Sequence, residues 1–195
     1  MLIDFDTLEV AKRYKLMSQC IVPRPIAWIV TESSNGLNAA PFSYFAPLSS
    51  SPAAVVVSIG HKSDSTPKDT LKNLLQNGKC TICAVTAETL PKMHQTATEL
   101  DYEIDETKLF GIETKRLLPD FPPIIADTPY ALFCTFMQKI DLGGKTVPLI
   151  LKIENLYISP QNVLDENSLE LNIQTVARVG KRYALYDKIV EPPKN

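Results

Sequence analysis

Residues 23–52 read PRPIAWIVTESSNGLNAAPFSYFAPLSSSP, and this stretch decides the fold. Its first part, taken from Cys20 to Thr31 as CIVPRPIAWIVT, is apolar and β-branched once past the Pro-Arg-Pro kink, which is the composition of an extended strand. It runs into SSNG at 33–36, a turn signal, and a second extended segment follows, so the pair predicts a hairpin. The second segment, LNAAPFSYFAPLS, contains Pro41 and Pro47. Proline cannot donate to a strand ladder, so this segment must be irregular, bulged or at the edge of a sheet.

Further along the chain, AAVVVSIG at 53–60 reads as a buried strand. Residues 68–77, KDTLKNLLQN, place Leu71, Leu74 and Leu75 on one helical face and stop at Gly78, which predicts a short helix. KCTICAVTA at 79–87 predicts another strand, Thr89 to Leu100 a helical stretch, and LLPDFPP at 117–123 a proline-rich crossing. Thr128–Ile140 and Val147–Ile158 predict two long strands joined through DLGGK, whose glycine pair suits a hairpin turn. A short helix near 167–175 and the segment VARVGKRYAL complete the reading. Five to seven strands with few helices predict a mainly β fold, a closed or partly closed antiparallel barrel, with residues 1–195 forming a single domain.

Composition narrows the function classes. A formal net charge of -2 gives no electrostatic footprint for nucleic acid or an anionic membrane surface, so a small ligand is expected. The amino end, MLIDFDTLEVAKRYK, has early acids and no apolar run of signal-peptide length, and the apolar stretch 52–59 falls far short of the roughly 20 residues that span a bilayer. Four cysteines, at 20, 80, 83 and 134, are too sparse for a disulfide scaffold and point to a reducing cytoplasm.

Several chemistries lack their signatures. There is no GxGxxG opening a helix after a strand, no P-loop and no HExxH, and His61 and His94 are the only histidines. Cys80 and Cys83 form a CxxC inside a strand pattern, where alternation sends them to opposite faces, so they read as packing residues.

A dense polar and aromatic cluster remains: Arg24, Trp28, Thr31, Asn38, Ser43, Tyr44, Ser49, Ser58, Lys68, Asp69, Thr70 and Asn73. Three motifs hold it, PRPIAWIVT at 23–31, NAAPFSYFAPLSSSP at 38–52 and KDTLKN at 68–73, with a weaker RVGKRY at 178–183. In their order and spacing these resemble the flavin reductase-like proteins with an FMN-binding split barrel, including flavoredoxin-type members. The sequence departs from that pattern at ALFC, where an acidic residue often precedes the cysteine, and at Lys181, where a second glycine is usual. The resemblance implies an antiparallel Greek-key split barrel, a bound FMN and a homodimer. Within its motifs, Arg24, Ala27, Trp28, Thr31, Asn38, Ala39, Ala40, Ser43, Tyr44, Ser58, Lys68, Asp69, Thr70 and Asn73 are the expected cofactor residues.

The residue chemistry agrees with a flavin. An isoalloxazine needs apolar walls and hydrogen-bond donors at its polar edge, and a phosphate needs N–H, hydroxyl and cationic donors. Ala39 and Ala40 permit close backbone approach, Asn38 and Ser43 supply polar groups, and Lys68 and Thr70 stand in the first turn of a helix, where free amides favour an anion. Plainer readings stand beside these: Trp28 as core, Asn38 as the end of a turn, and Arg178 with Lys181 and Arg182 as a solvated basic patch. The expected function is an FMN-dependent oxidoreductase taking hydride from NADH or NADPH, with Arg178 and Arg182 guiding the nucleotide and an acceptor left open. The alternatives are an FMN electron carrier with no nicotinamide site, or a split barrel that uses another cofactor such as pyridoxine phosphate or haem.

Overall fold

The structure, a computed structural model, describes residues 1–186, 190, 192 and 193. In chain order the strands are β1 Arg24–Pro25, β2 Ala27–Ser33, β3 Gly36–Phe42, β4 Phe45–Ser50, β5 Ala53–Ile59, β6 Lys79–Cys83 and β7 Thr114–Lys115. Then come β8 Ile124–Ile125, β9 Tyr130–Lys139, β10 Val147–Ile158, β11 Val163–Asp165, β12 Glu170–Leu171, β13 Ala177–Val179 and β14 Arg182–Ala184. The α-helices are α1 Val10–Cys20, α2 Asp69–Asn77, α3 Leu90–Gln95 and α4 Glu106–Leu109. The fold is mainly β, as the sequence predicts.

Seven strands form the main antiparallel sheet in the order β3-β2-β6-β9-β10-β5-β4. Its two edge strands, β3 and β4, are consecutive in the chain and joined only by Ser43 and Tyr44. Two residues cannot span an open seven-stranded sheet, so the sheet must curl until its edges meet there. The Ser58 N–H donates to the Tyr44 carbonyl at 2.8 Å and fixes the junction against β5. The prolines fit this geometry: Pro41 and Pro47 both lie on edge strands, and the β4–β5 register shifts between Pro47 and Ser49.

Residues Ala27 to Thr31 are all buried, because both faces of β2 are covered. Ala27 and Ile29 join the barrel interior with Val57, Leu71, Leu74, Ile82 and Leu149, while Trp28 and Val30 join an outer cluster with Met93, Ile112, Phe121 and Phe133. Cys80 and Cys83 divide between the same two clusters, as strand alternation predicts, and Cys80 lies opposite Cys134 across the β6–β9 ladder. α2 plugs the barrel with Leu71 and Leu74, and Gly78 at φ 70° ends it, its N–H bonded to the Leu74 carbonyl.

Three expectations are corrected. Cys20 belongs to the end of α1 and not to an extended run, since Arg24 and Gly180 both donate to the Ser18 carbonyl and hold a helix that the apolar pattern hides. The helical stretch from Thr89 is only six residues long, because the Thr96 hydroxyl bonds back to the Met93 carbonyl and competes with the ladder. The segment 167–175 is no helix: Asp165 accepts from the Asn167 and Ser168 amides, Leu169 turns at φ 56°, and β12 pairs with β11. Among the described residues no helix is long and apolar enough to cross a membrane.

Candidate functional site

The barrel seam opens into a groove of two adjoining cavities that share Pro41, Phe42, Lys68 and Ala97. The larger, about 300 Å³, is walled by Tyr14, Ile26, Phe42, Ser43, Tyr44, Ser58, Gly60, Met93, Arg178 and Tyr183. The smaller, about 160 Å³, lies over the start of α2 and is walled by Asn38, Ala40, Lys62, Asp69, Thr70, Glu99 and Glu106 among others. Together they have the size and mixture of a small-molecule site.

The larger cavity is mostly apolar with hydroxyls at its seam. Tyr14 stacks on Tyr44 with ring centroids 5.7 Å apart. Behind them Arg24, only 6% exposed, donates through Nη1 to the Ser18 carbonyl at 2.6 Å and the Ile21 carbonyl at 2.8 Å, and its guanidinium lies 5.8 Å from the Tyr44 ring centre. A guanidinium at a helix C-terminus satisfies orphan carbonyls and complements the dipole. Arg24 therefore positions α1 and Tyr44 and makes no wall itself. Its Nε and Nη2, and the Tyr44 hydroxyl, are buried without a partner among the described residues. Burial, reinforced by Tyr14 and opposed by Arg24, holds the Tyr44 phenol above its ordinary range.

The smaller cavity sits on the N-terminus of α2, whose N-cap, Lys68, makes no side-chain capping hydrogen bond. Its first-turn amides carry the partial positive charge of the helix end. Asn38 Nδ2 donates to the Thr70 hydroxyl at 2.9 Å, Asn73 Nδ2 to the Thr31 hydroxyl at 3.0 Å, and the Tyr102 hydroxyl to Asn73 Oδ1 at 2.8 Å. The first two bonds stitch α2 to the β2–β3 hairpin, and the third ties it to the segment between α3 and α4. Lys62 Nζ pairs with Asp69 at 2.8 Å and also donates to the Leu100 carbonyl.

Glu106 is the acid the sequence conceals. It follows Asp105, which caps α4 by accepting from the Lys108 N–H at 3.0 Å, and an acid beside a helix cap ordinarily faces water. Here α4 docks on the hairpin so closely that a Cβ added at Gly36, φ 131°, would lie 2.5 Å from the Asp105 carboxylate. Glu106 is thereby carried inside, 4% exposed, where Oε2 accepts from the Ala39 N–H at 2.8 Å. Burial pushes its carboxyl up to about 7; nearby Asp69 adds to this, and the Ala39 N–H, Lys62 and Lys68 oppose it.

The seam thus collects Asn38, Ala40, Ser43, Tyr44, Ser58, Lys68, Asp69 and Thr70 with Arg178. Ala27, Trp28, Thr31 and Ala39 have no exposed surface and stand in a layer beneath; the Trp28 indole N–H donates to the Thr96 hydroxyl at 3.1 Å, so Trp28 is core. Asn73, almost fully buried, orders that layer. Arg178 faces the groove, its Nε bonded to the Gly180 carbonyl and its guanidinium 4.6 Å from the Tyr183 ring centre, while Arg182 is exposed and lines neither cavity. Tyr14, Lys62, Met93 and Glu99 join the walls without a signal in the sequence, since the docking that brings each of them is tertiary, and Tyr183 joins from the weaker RVGKRY motif.

Residues 17–171 match the family model described as flavin reductase like domain. A protein of Deinococcus radiodurans is 31% identical over 183 residues, 91% of this chain and 80% of its own length. Among solved structures, nitrilotriacetate monooxygenase component B from Bacillus cereus superposes with a TM-score of 0.90 at 21% identity, covering 98% of each chain. The 2-nitrobenzoate 2-nitroreductase of Pseudomonas fluorescens gives 0.89 at 24% identity over 100% of this chain and 96% of that one. Likeness at these identities speaks for a common fold.

Proposed function

This chain belongs to the flavin reductase-like family, and from that premise we propose that the seam groove holds FMN and that the protein is an FMN-dependent oxidoreductase using NADH or NADPH. The observation that carries this reading is the division of the groove: an apolar cavity edged with hydroxyls adjoins a second cavity built on an uncapped helix N-terminus with two lysines. A flavin mononucleotide is likewise an apolar plane joined to a phosphate.

In this reading Phe42, Ser43, Tyr44 and Ser58 hold the ring, and Lys68, the α2 amides and Thr70, set by Asn38, hold the phosphate. FMN in this position would supply hydride acceptance from the nicotinamide and release of the electrons to an acceptor. The chain's own part is to bind, orient and exclude water. The buried Ile26 and Met93 give the cavity apolar wall, and Arg178 on the groove attracts the nucleotide's phosphates. We propose also that two copies associate, which sedimentation at micromolar concentration tests; a flavin-loaded monomer would contradict it.

A second reading, an FMN electron carrier with no nicotinamide site, is favoured by one observation: of the two arginines expected to guide the nucleotide, Arg182 lines neither cavity of the groove. Anaerobic addition of NADH and then NADPH to the flavin-loaded chain separates the two. Bleaching of the visible flavin bands at catalytic rates by either nucleotide is expected. Bleaching by dithionite alone would leave the carrier, and failure to take up FMN would overturn both.

A further inference from the structure

The smaller cavity holds one more acid than base, an unusual balance for a place that receives a phosphate. Asp69, on α2, is neutralised by Lys62 from the segment after β5. Glu99, in the segment after α3, sits at the rim, accepts from the Ser63 N–H at 3.1 Å, and lies 3.9 Å from Lys68. Asp105, the N-cap of α4, is spent on that cap and on Lys108. That leaves Glu106. It has one hydrogen bond, from the uncharged β3 backbone at Ala39, and among the described residues its Oε1 has no hydrogen-bond partner although the side chain lines the cavity.

A phosphate monoester brings about -1.5 to -2 charge at neutral pH. Beside it an ionised, nearly dry carboxylate is repelled with little screening, and of these acids only Glu106 makes no ion pair among the described residues, Lys62 and Lys68 acting on it from a distance while they pair with Asp69 and Glu99. We propose that Glu106 is the proton acceptor coupled to phosphate binding: a phosphate monoester entering this cavity draws one proton from solvent onto Glu106, which then donates a hydrogen bond where its carboxylate would repel. The inference rests on the FMN reading only for the identity of the ligand. Burial, which pushes the Glu106 carboxyl up to about 7 in the free chain, prepares it for this. Above that pH the proton must be supplied on binding, so affinity for FMN falls with rising pH, toward tenfold per unit for one linked proton.

Calorimetric titration of the flavin-free chain with FMN and with riboflavin at pH 8, in two phosphate-free buffers of different ionisation enthalpy, counts the protons. The expected result is close to one proton taken up with FMN, none with riboflavin, and none when FMN binds Glu106→Gln, whose affinity stays level as pH rises. Gln keeps an oxygen for the Ala39 N–H and presents N–H donors as the protonated acid does. FMN binding with no proton uptake, or undiminished uptake by Glu106→Gln, overturns the proposal and leaves the FMN reading intact. A chain that binds no FMN overturns both. If Glu106→Gln does not fold, the wild type decides: uptake confined to FMN supports the coupling, and equal uptake with riboflavin overturns it.

Discussion

Lys68 stands where the two cavities meet, and its distance of 3.9 Å from Glu99 leaves its ammonium free to turn to an anion. A charge-assisted hydrogen bond is worth about 1.5 to 3 kcal/mol, so Lys68→Ala is expected to weaken FMN about 10- to 150-fold while leaving riboflavin nearly unaffected, as flavin fluorescence titration would read. Glu106 makes a second residue-scale prediction, for the ligand-free chain. An unfolded glutamate releases its proton near 4.5 and the native Glu106 only at about 7. Between those values the native state binds more protons, so the contribution of Glu106 to stability falls as pH rises through the window, and the loss is complete above it. Glu106→Gln, with no proton to lose, is expected to exceed the wild type by about 3 kcal/mol at pH 8 and to match it near pH 4, measured by urea unfolding. The residues that sequence reading finds at the groove, from Asn38 to Thr70, share short segments whose local chemistry already implies a ligand. Glu106 was illegible because its burial depends on α4 docking against Gly36, far away in the chain.

At the scale of elements, the strands of the main sheet are legible because alternation, β-branching and proline placement act locally; the expected bounds of β10 coincide with the observed Val147–Ile158. Helices held by tertiary hydrogen bonds are not. Val10 and Tyr14, both largely exposed, give α1 no clear buried apolar stripe, and Arg24 supplies what the pattern lacks. The hairpin at 163–171 defeats a helical reading through one Asx turn and one strained residue. Leu169 carries φ 56° with its side chain 75% exposed, so it bears the backbone penalty with little packing in return. Leu169→Gly is expected to be neutral or stabilising by up to about 1 kcal/mol, and Leu169→Val destabilising, in thermal unfolding.

For the whole molecule, the decisive feature is that a seven-stranded sheet closes through a two-residue link, and the groove occupies that seam. Sequence reading reaches the barrel and the ligand motifs separately; that Ser43 and Tyr44 are both the closure and a wall of the site emerges only in three dimensions. Gly60, on the larger cavity with open space around the position of a Cβ, tests the assignment without touching the core. The most direct measurement is FMN titration of the wild type and of Gly60→Trp, with unfolding followed in parallel. One FMN per wild-type chain, and binding lost in a variant of unchanged stability, is the result expected if the seam is the flavin site; equal binding by both would contradict it.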